Sequence, residues 1–402
     1  MTPERNNYSA SDVLTPFGGK EPIKLALFSS GLGTIQRGFE ISTGRFYNAL
    51  AGQEGLDVRL FCGSDFPGAK AVWNIGRQFW LSSLLKPFAP IDREKLWKLA
   101  YVLEQTTFSF GLLSESQSTW QPDVVWTKEV PLAHVLYEFR RLFNAKYKVI
   151  FANGGGFKPK TYQHFDFIQH LHPEAYEEAL RYGIPAEKMN VLPNVVPYMP
   201  PLLDKASLRR KYNFAEDDYV IISVAAWNKH HKRMDYLLDE FRKLEDPRYK
   251  LIVCGQPEPE GESLREEYGE LLGDRVRWMT VSDLEVRELL VMSDLFALCS
   301  LYEGLGAALI EAALAGLPVL CHPHGGGKYI LQDERWLIDM SIPGNLSMKI
   351  RELVANPPTA ESLARLKASV QQRFNEEELS HRFTAMVEQV LYEQPLIKSR
   401  AS

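Results

Sequence analysis

Features that would place this chain in several functional classes are scarce or absent. In 402 residues, Lys and Arg (46) do not outnumber Asp and Glu (51), and the formal net charge is -5. This balance lacks the basic excess of nucleic-acid-binding proteins, so we expect no nucleic-acid partner. No run of about 18 apolar residues occurs, which argues against a membrane-spanning helix. The first 20 residues are polar, unlike a secretory signal, so the sequence predicts a cytoplasmic protein.

Cysteine and metal-binding motifs are also missing. The four cysteines form no Cys-x-x-Cys pair and lie in or beside short apolar runs. Such thiols are typically buried in proteins of a reducing compartment. The chain contains no His-Glu-x-x-His and no Asp-x-Asp sequence. We therefore expect no metal site and no cofactor.

What remains is the composition of an α/β protein with two domains. Hydrophobic residues make up 45% and charged residues 24%, and the length exceeds what one hydrophobic core usually supports. Short β-rich runs alternate with helical patterns, which predicts parallel sheets built from βαβ units. Strands are predicted at 23–29, 58–62, 124–127, 149–152, 165–169, 189–192, 219–224, 251–254, 276–279, 295–299 and 318–321. The proline-rich segment 193–204 is predicted to link the two domains.

The most informative feature is a pair of carboxylates, Glu303 and Glu311, with a glycine-rich turn between them. At about 1.5 Å per residue, eight helical steps would separate them by roughly 12 Å. That distance suits a ligand with a sugar at one end, a ribose at the other and a diphosphate between. The neighbours of Glu311 are apolar, so its burial would require a bonding partner such as ribose hydroxyls. Pairing with an Arg or Lys, or exposure to an interdomain cleft, is the simpler alternative.

The stretch from residue 293 to 327 resembles the sugar-nucleotide signature of retaining GT-B glycosyltransferases of the large family 4 group. The matching landmarks are Asp294, Ser300, Glu303, Gly304, Gly306, Glu311, Gly316, Pro318 and Val319. The resemblance implies two Rossmann-like domains facing a cleft: an acceptor-side domain at 1–195 and a nucleotide-sugar domain at 196–375. It also implies that the segment 376–402 is a helix crossing back to the first domain. Many metal-dependent sugar transferases hold the diphosphate through an Asp-x-Asp pair, which is absent here.

Two loops are predicted to hold the donor diphosphate. Gly31 and Gly33 follow the first strand, where glycines allow a phosphate or sugar to approach the backbone; a plain strand-to-helix turn is the alternative. Cations after the first strand of the second domain would neutralise a departing diphosphate. Lys232 aligns with the family's lysine, whereas Ala226 stands where the family has an arginine. Three residues are candidates to replace that arginine: Asn228, Lys229 and Arg233.

By the same resemblance, Glu303 and Lys232 carry catalysis, and the amides of Gly304, Leu305 and Gly306 steady the diphosphate. Glu303 would hold the hydroxyls of the transferred sugar and Glu311 those of the ribose. The loop with Met279 and Val281 would hold the nucleobase through backbone groups. The donor is therefore expected to be a UDP or GDP sugar, and the acceptor a glycan, a lipid-linked sugar or a small molecule.

The acceptor side is predicted on the first domain. Asn153 stands in a glycine-rich loop where the family often has a histidine, and an amide can bind a hydroxyl but cannot act as a base. Asp166, His170 and His172 are predicted to line the same side. A further departure is Asn194, in a hinge motif that lacks the family's glycine and aspartate.

One aromatic-rich stretch suggests an acceptor entrance or contact with a membrane surface, although packing into the core is the more common role. Its residues are Trp73, Arg77, Phe79, Trp80, Leu84, Leu85, Lys86 and Phe88. A peripheral position at the inner membrane surface is the corresponding interpretation. Polysaccharide assembly follows by analogy only.

Two other functions fit the sequence less well. A non-catalytic subunit that binds a sugar nucleotide for a partner enzyme would explain Ala226, Asn153 and the altered hinge. A nicotinamide dehydrogenase would also use Rossmann-like domains. The chain lacks the full Gly-x-Gly-x-x-Gly with a following acidic residue that this enzyme class requires.

Overall fold

The computed structural model describes residues 21–35, 38–80, 93–115, 120–142 and 144–392. Its first half forms a seven-stranded parallel sheet in the order β3-β2-β1-β4-β5-β6-β7. The strands are β1 (Ile23–Ser29), β2 (Leu56–Cys62), β3 (Lys70–Ala71), β4 (Val124–Thr127), β5 (Lys148–Asn153), β6 (Phe167–His170) and β7 (Met189–Val191). The helices are α1 (Gly38–Leu50), α2 (Arg77–Phe79), α3 (Arg93–Glu115), α4 (Val130–Leu142), α5 (Pro159–Tyr162) and α6 (Pro173–Tyr182).

The second half repeats this plan with a five-stranded parallel sheet in the order β10-β9-β8-β11-β12. The strands are β8 (Tyr219–Val224), β9 (Tyr249–Cys254), β10 (Val276–Met279), β11 (Leu295–Leu298) and β12 (Val319–Cys321). The helices are α7 (Lys205–Lys211), α8 (Met234–Arg242), α9 (Pro259–Leu272), α10 (Asp283–Met292), α11 (Ala307–Leu314), α12 (Gly325–Leu331), α13 (Asn345–Ala355), α14 (Ala360–Arg373) and α15 (Glu376–Tyr392). The predicted α/β architecture of two parallel sheets is confirmed.

Strand β1 shows why these runs form buried parallel strands. Leu25 and Leu27 point into one apolar cluster, and Ala26 and Phe28 point into another on the opposite face. Helices cover both faces, so the strand is apolar at nearly every position rather than alternating. Each fully buried aliphatic side chain contributes about 1.5–3 kcal/mol.

The strand order of each sheet reverses direction at one point. In the first sheet the reversal lies between β1 and β4, and in the second between β8 and β11. At such a point the loops after the two central strands diverge and leave a crevice at the carboxyl ends of the strands. The loops with Gly31, Lys232 and Glu303 all follow these strands, so the topology directs them to the crevices.

The last helix, α15, packs on the first domain. The Phe383 ring lies 5.1 Å from Phe46 and 6.2 Å from Trp126, centroid to centroid. Arg382 donates to the Val191 carbonyl at 2.9 Å. The end of the described chain therefore rests on the sheet formed by its beginning.

Asp294, one of the landmarks of the sequence signature, has a structural role. Its carboxylate accepts bonds from Lys205 (2.6 Å), Arg209 (2.5 Å) and the Val220 amide (2.7 Å). It precedes β11 and so lies at the amino end of the second sheet, away from the crevice. It joins α7, β8 and β11.

The aromatic-rich stretch is only partly described, since Leu84, Leu85, Lys86 and Phe88 lie outside the described residues. Trp73 and Phe79 are 65% and 53% exposed, whereas Arg77 is buried and therefore no part of a surface patch. None of the described helices has the length and apolar character needed to cross a membrane. All four cysteines lie in described ranges and are buried as free thiols.

Candidate active site

The turn after β8 presents Lys232 to the crevice. The buried Asn228 shapes this turn, because its side-chain oxygen accepts bonds from the amides of His231 (3.1 Å) and Lys232 (2.7 Å). The predicted diphosphate contact of Asn228 is therefore replaced by a role in the turn itself.

The other two candidates for the missing arginine are not directed to the crevice by the contacts they make. Arg233 donates to the Met340 carbonyl at 2.6 Å and lies over the Tyr236 ring. Lys229 is exposed, and its amide donates to Glu260 at 3.0 Å. Of these cationic side chains, Lys232 is therefore the one that contacts a residue of the crevice, Glu303.

Lys232 and Glu303 form an ion pair at the point where the strand order of the second sheet reverses, between β8 and β11. Glu303 is 7% exposed, and the His231 Nε2 lies 3.9 Å from its carboxylate and 3.0 Å from the Tyr302 carbonyl. Burial raises the pKa of Glu303, but the Lys232 ammonium and the His231 ring outweigh burial and hold the pKa below its usual range. Glu303 is therefore an ionised hydrogen-bond acceptor at neutral pH.

The turn from Gly304 to Gly306 brings the two domains into backbone contact. A methyl group on Gly304 would overlap the Gly154 carbonyl oxygen of the first domain. Gly306, at φ 87°, starts α11 in a left-handed conformation that favours glycine, and Leu305 is buried beneath it. These glycines are therefore required by close approach and by backbone conformation.

Glu311 binds an arginine of the opposite domain. The Arg45 Nη2 on α1 lies 2.8 Å from the Glu311 carboxylate and 3.7 Å from that of Asp283. The side chains of Arg45 and Glu311 are 15% and 14% exposed, so the pair is at the edge of the cleft rather than in the core. Both simpler alternatives for Glu311, an arginine partner and a place at the interdomain cleft, hold in this structure.

The loops expected to hold a nucleobase lie after β9 and β10. The Gly255 amide donates to the Met279 carbonyl at 2.9 Å, and Thr280 donates to the Gly255 carbonyl at 2.6 Å. Met279 and Val281 are partly buried and pack on the core of the second domain. The two loops are thus tied together beside the helix that carries Asp283.

The glycine loop after β1 rests on a buried polar network. Glu129 accepts from the Ser30 amide at 3.0 and 3.1 Å, and Glu104 accepts from the Ser30 hydroxyl at 3.0 Å. Arg77 binds Glu104 at 2.6 Å and Glu40 at 3.2 Å. A methyl on Gly31 would lie 2.5 Å from Arg77 Nη2. This buried network therefore holds the backbone of the glycine loop in place, and Gly31 lies in close contact with it.

Gly33 has a different reason to be glycine. Its φ is 97°, and an added methyl would lie 2.8 Å from the Asp65 carbonyl. The turn therefore needs glycine for conformation and for space.

The network also holds a buried lysine that donates hydrogen bonds to a hydroxyl and to an amide oxygen. Lys128 donates to Ser42 and to Asn194 at 2.5 Å each, and burial lowers its pKa to about 7, with Glu40 acting in the opposite direction. Burial and repulsion by Glu40 raise the pKa of Glu129 to about 8. Asn194, in the altered hinge, thus connects to α1 through Lys128.

Asn153, predicted on the acceptor side, makes hydrogen bonds within its own loop. Asn153 is buried, and its amide bonds the backbone of Phe157, accepting from the amide at 3.0 Å and donating to the carbonyl at 3.4 Å. Its side chain therefore closes the glycine loop that follows β5.

Asp166 was placed on the wrong end of its strand. It precedes β6 and binds Arg140 and the Val149 amide, the latter at 2.8 Å. Because the crevice lies at the carboxyl ends of the strands, Asp166 is on the opposite edge and does not line it.

His170 does end β6 at the correct edge. It is fully buried between the edges of Tyr162 and Tyr176, and neither ring nitrogen has a hydrogen-bond partner in the described structure. Burial, reinforced by His172, lowers the pKa of His170 to about 4, so the ring is neutral at pH 7.

Two histidines of the cleft act as helix caps; His172 was predicted to line the acceptor side, whereas His324 was not predicted. His172 caps α6 in the first domain and His324 caps α12 in the second, each accepting a helix amide on Nδ1. A methyl on Gly325 would lie 2.6 Å from His172 Nδ1, so the two caps meet across the interdomain boundary. The run His-Pro-His-Gly-Gly-Gly after a buried strand was the available signal for His324. No three His, Cys, Asp or Glu side chains within the described ranges are grouped so as to hold a metal ion.

Comparison with known proteins gives a family match within the second domain. Residues 204–373 match the model of the family described as glycosyl transferases group 1. N-acetyl-alpha-D-glucosaminyl L-malate synthase of Bacillus anthracis is 26% identical over 193 residues, 47% of this chain and 50% of that protein. The putative glycosyltransferase EpsD of Bacillus subtilis strain 168 is 25% identical over 181 residues, 43% and 46% of the two chains. The chain therefore spans about half the length of these curated relatives.

Solved structures resemble almost the whole chain. HepE of Anabaena, in complex with UDP and glucose, has a TM-score of 0.71 at 14% identity, covering 91% of this chain and 99% of its own. Sucrose-phosphate synthase of Thermosynechococcus elongatus has a TM-score of 0.73 at 18% identity, covering 92% and 100%. These similarities show that the two domains have the GT-B fold.

Proposed function

We propose that the whole chain transfers a sugar from a nucleoside-diphosphate sugar, on the premise that residues 204–373 match the group 1 glycosyl transferases. The donor is a UDP or GDP sugar; HepE has been solved in complex with UDP-glucose. The acceptor is a glycan, a lipid-linked sugar or a small molecule. The observation that carries the proposal is the ion pair between the partly exposed Lys232 and the buried Glu303, at the point where the strand order of the second sheet reverses.

The charges of the pair suit the two ends of such a donor. Lys232 offers a cation to the diphosphate, while Glu303 can accept bonds from sugar hydroxyls. Donor binding would draw the ammonium from the carboxylate toward the phosphates. Gly304, Leu305 and Gly306 would add backbone amides to the diphosphate, and Glu311 would bind the ribose once Arg45 releases it.

The mechanism we propose is retaining and metal-independent. The acceptor oxygen attacks the anomeric carbon from the face that the diphosphate leaves. The carbon–oxygen bond to the diphosphate breaks, and the departing phosphate oxygen takes the acceptor proton. No side chain acts as nucleophile, so catalysis consists of positioning and charge stabilisation. We propose that the reaction takes place in the cytoplasm, with the acceptor brought to the first domain.

Glu303→Gln tests this proposal directly. It keeps the size of the side chain and removes the charge, so donor turnover should fall by about 10²–10³-fold while the nucleoside diphosphate still binds. Released diphosphate would be measured with UDP-glucose, UDP-N-acetylglucosamine and GDP-mannose over an acceptor panel. Nuclear magnetic resonance of the product would report the anomeric configuration. A Glu303→Gln protein with wild-type turnover would contradict the proposal.

A second candidate is a non-catalytic subunit that binds the sugar nucleotide for a partner enzyme. The observation that favours it is Asn153, where the family often has a histidine, bound to its own loop through Phe157. This candidate predicts nucleotide binding by the wild type with no turnover on any acceptor. Turnover that depends on Glu303 would exclude it.

A further inference from the structure

His324 has one hydrogen-bonding atom that the fold does not use. Its Nδ1 accepts from the Gly327 amide at 3.0 Å, and burial lowers the pKa of the ring to about 4. The ring is therefore neutral at pH 7, and its proton resides on Nε2 because Nδ1 is an acceptor. The fold thus fixes both the tautomer and the orientation of the Nε2–H donor.

That donor is buried and finds no acceptor among the residues that the structure describes. His324 is 6% exposed, and Nε2 lacks a hydrogen-bond partner. A buried donor left unsatisfied costs about 1–3 kcal/mol. Other buried atoms share this state, including both ring nitrogens of His170. What distinguishes His324 is its surroundings.

The turn that carries His324 packs against the turn after Glu303, since a methyl on Gly326 would overlap the Leu305 carbonyl oxygen. Apart from burial, Glu303 raises the pKa of the ring, and His172 and Lys232 lower it, so charged and polar groups of both domains act on it. The adjoining glycines allow this approach. A methyl on Gly325 would lie 2.5 Å from the His172 ring, and a methyl on Gly327 would lie 2.6 Å from the Cys321 sulfur.

Glu303 and His324 are complementary in what they offer a ligand. The ionised carboxylate only accepts hydrogen bonds, and the Nε2–H only donates. A sugar carries hydroxyls that do both, so neighbouring hydroxyls could satisfy one group each. A site built to bond a hydroxyl discriminates strongly against a sugar that lacks it, because the buried partner is then left unpaired.

We propose that His324 is a specificity-determining residue that donates a hydrogen bond from Nε2 to a hydroxyl of the transferred sugar, beside Glu303. This assignment rests on the proposed function. It adds a contact to the sugar end of the donor and none to the nucleotide end.

The test uses His324→Asn in the full-length protein. Asparagine caps helices well, so the Gly327 amide keeps an acceptor while the Nε2 donor is lost. His322→Asn is the matched control, because His322 lies two residues away and accepts from the Met340 amide at 3.3 Å. His324→Ser, another capping residue, replaces His324→Asn if that variant does not fold. Thermal melting would verify the fold of each protein.

The affinities of UDP and GDP would be compared with those of UDP-glucose, UDP-N-acetylglucosamine and GDP-mannose by calorimetry. In His324→Asn, the affinity for the bound sugar nucleotide should fall about tenfold while that for its diphosphate stays unchanged, matching a loss of one buried hydrogen bond. Equal affinities in wild type and variant, or an equal loss for sugar nucleotide and diphosphate, would overturn the proposal.

Deoxy versions of the donor, each lacking one sugar hydroxyl, sharpen the test. One of them should bind weakly to the wild type and show no further penalty in His324→Asn, because the same bond is already missing. If every deoxy penalty is the same in both proteins, His324 does not touch the sugar. A wild type that binds no sugar nucleotide would instead overturn the proposed function, and with it this inference.

Discussion

Lys232 and Glu303 form a salt bridge in which the carboxylate is buried and the ammonium is partly exposed, and this sets what each can offer a ligand. The salt bridge holds both side chains before any donor arrives, so little rotamer freedom remains to be lost on binding. His231 adds a third polar group 3.9 Å from the carboxylate. The cation and the carboxylate that we propose for the two ends of a sugar diphosphate therefore stand together in the structure.

The burial of His170 leads to a prediction about how the stability of the protein depends on pH. Its pKa is about 4 in the folded protein and near 6.5 in an unfolded chain, so between these values the unfolded state binds more protons. Stability should therefore rise with pH across this window, and be lost as pH falls through it, by up to about 1.4 kcal/mol per pH unit. In His170→Phe this part of the slope should disappear.

Urea unfolding at pH 5 and pH 6.5 would measure that difference. His381→Phe is the control, because His381 is exposed on α15. If His170→Phe keeps the wild-type slope, the histidine is not buried in its neutral form.

Sequence reasoning identified some site residues and missed others for a physical reason. Glu303 and Lys232 were predicted from the resemblance to a family signature, and the structure brings them together as an ion pair. Asp166 was misplaced because it lies at the amino end of the predicted strand 165–169 and of the observed β6, and the crevice is at the carboxyl end. His324 was missed because its importance comes from residues 21 and 152 positions earlier, Glu303 and His172, that only the fold brings near.

The loop between β1 and α1 is held in its conformation by a buried polar network. Ser30 is held by Glu104 and Glu129, and Gly31 touches Arg77 and Glu40. These acidic groups come from two helical segments and from the end of β4, so the loop conformation is set by three separate elements. The sequence predicted a glycine loop at this position. The spacing of the glycines could not reveal the buried polar network that holds the loop.

Gly31→Ala tests that support. The added methyl would lie 2.5 Å from Arg77 Nη2 and 2.6 Å from Glu40 Oε1, so the network must shift. We expect a loss of about 1–3 kcal/mol in the free energy of unfolding, together with weaker binding of the sugar nucleotide. Chemical denaturation and calorimetry would measure the two effects.

Gly38→Ala is the matched control. A methyl at Gly38 meets no described atom within 4 Å, and alanine favours the helix that begins there. It should be neutral or stabilising. Equal behaviour of the two variants would show that the network does not constrain the loop.

The predicted elements agree best where an apolar run fills a central strand. The central strands β1, β4 and β8 match the predicted ranges, because burial on both faces gives each a nearly continuous apolar signal. The edge strand β10 also matches its predicted range, although only Val276 in it is buried. The long helix α3 was not predicted. It contains Thr106, Thr107 and Gly111 and exposes Leu99 and Phe110, so its apolar residues follow no single face.

Across the whole molecule, the two domains are joined through the residues proposed to bind the donor. Arg45 binds Glu311, Gly304 touches Gly154, and the hydroxyl of Tyr302 reaches Gly156. Lys328 and Glu174 add an exposed pair at 3.5 Å. If Glu311 binds the ribose as we propose, a donor entering the cleft has to displace the Arg45–Glu311 bond first.

Arg45→Met tests this competition. The methionine keeps much of the apolar stem but frees Glu311, so the nucleoside diphosphate should bind about two- to five-fold more tightly, the equivalent of one partly exposed ion pair. Arg59→Met is the control, because Arg59 lies 3.8 Å from Asp57 within the first domain. Weaker binding by Arg45→Met would mean that Arg45 contacts the ligand instead.

The most direct test of the central claim is calorimetric titration of UDP, GDP, ADP and NAD into the wild type and Glu311→Ala. We predict that one diphosphate binds the wild type, that NAD does not, and that Glu311→Ala loses about tenfold or more in affinity because the ribose contact is gone. Folded wild-type protein that binds none of the diphosphates would contradict the assignment of a sugar-nucleotide site.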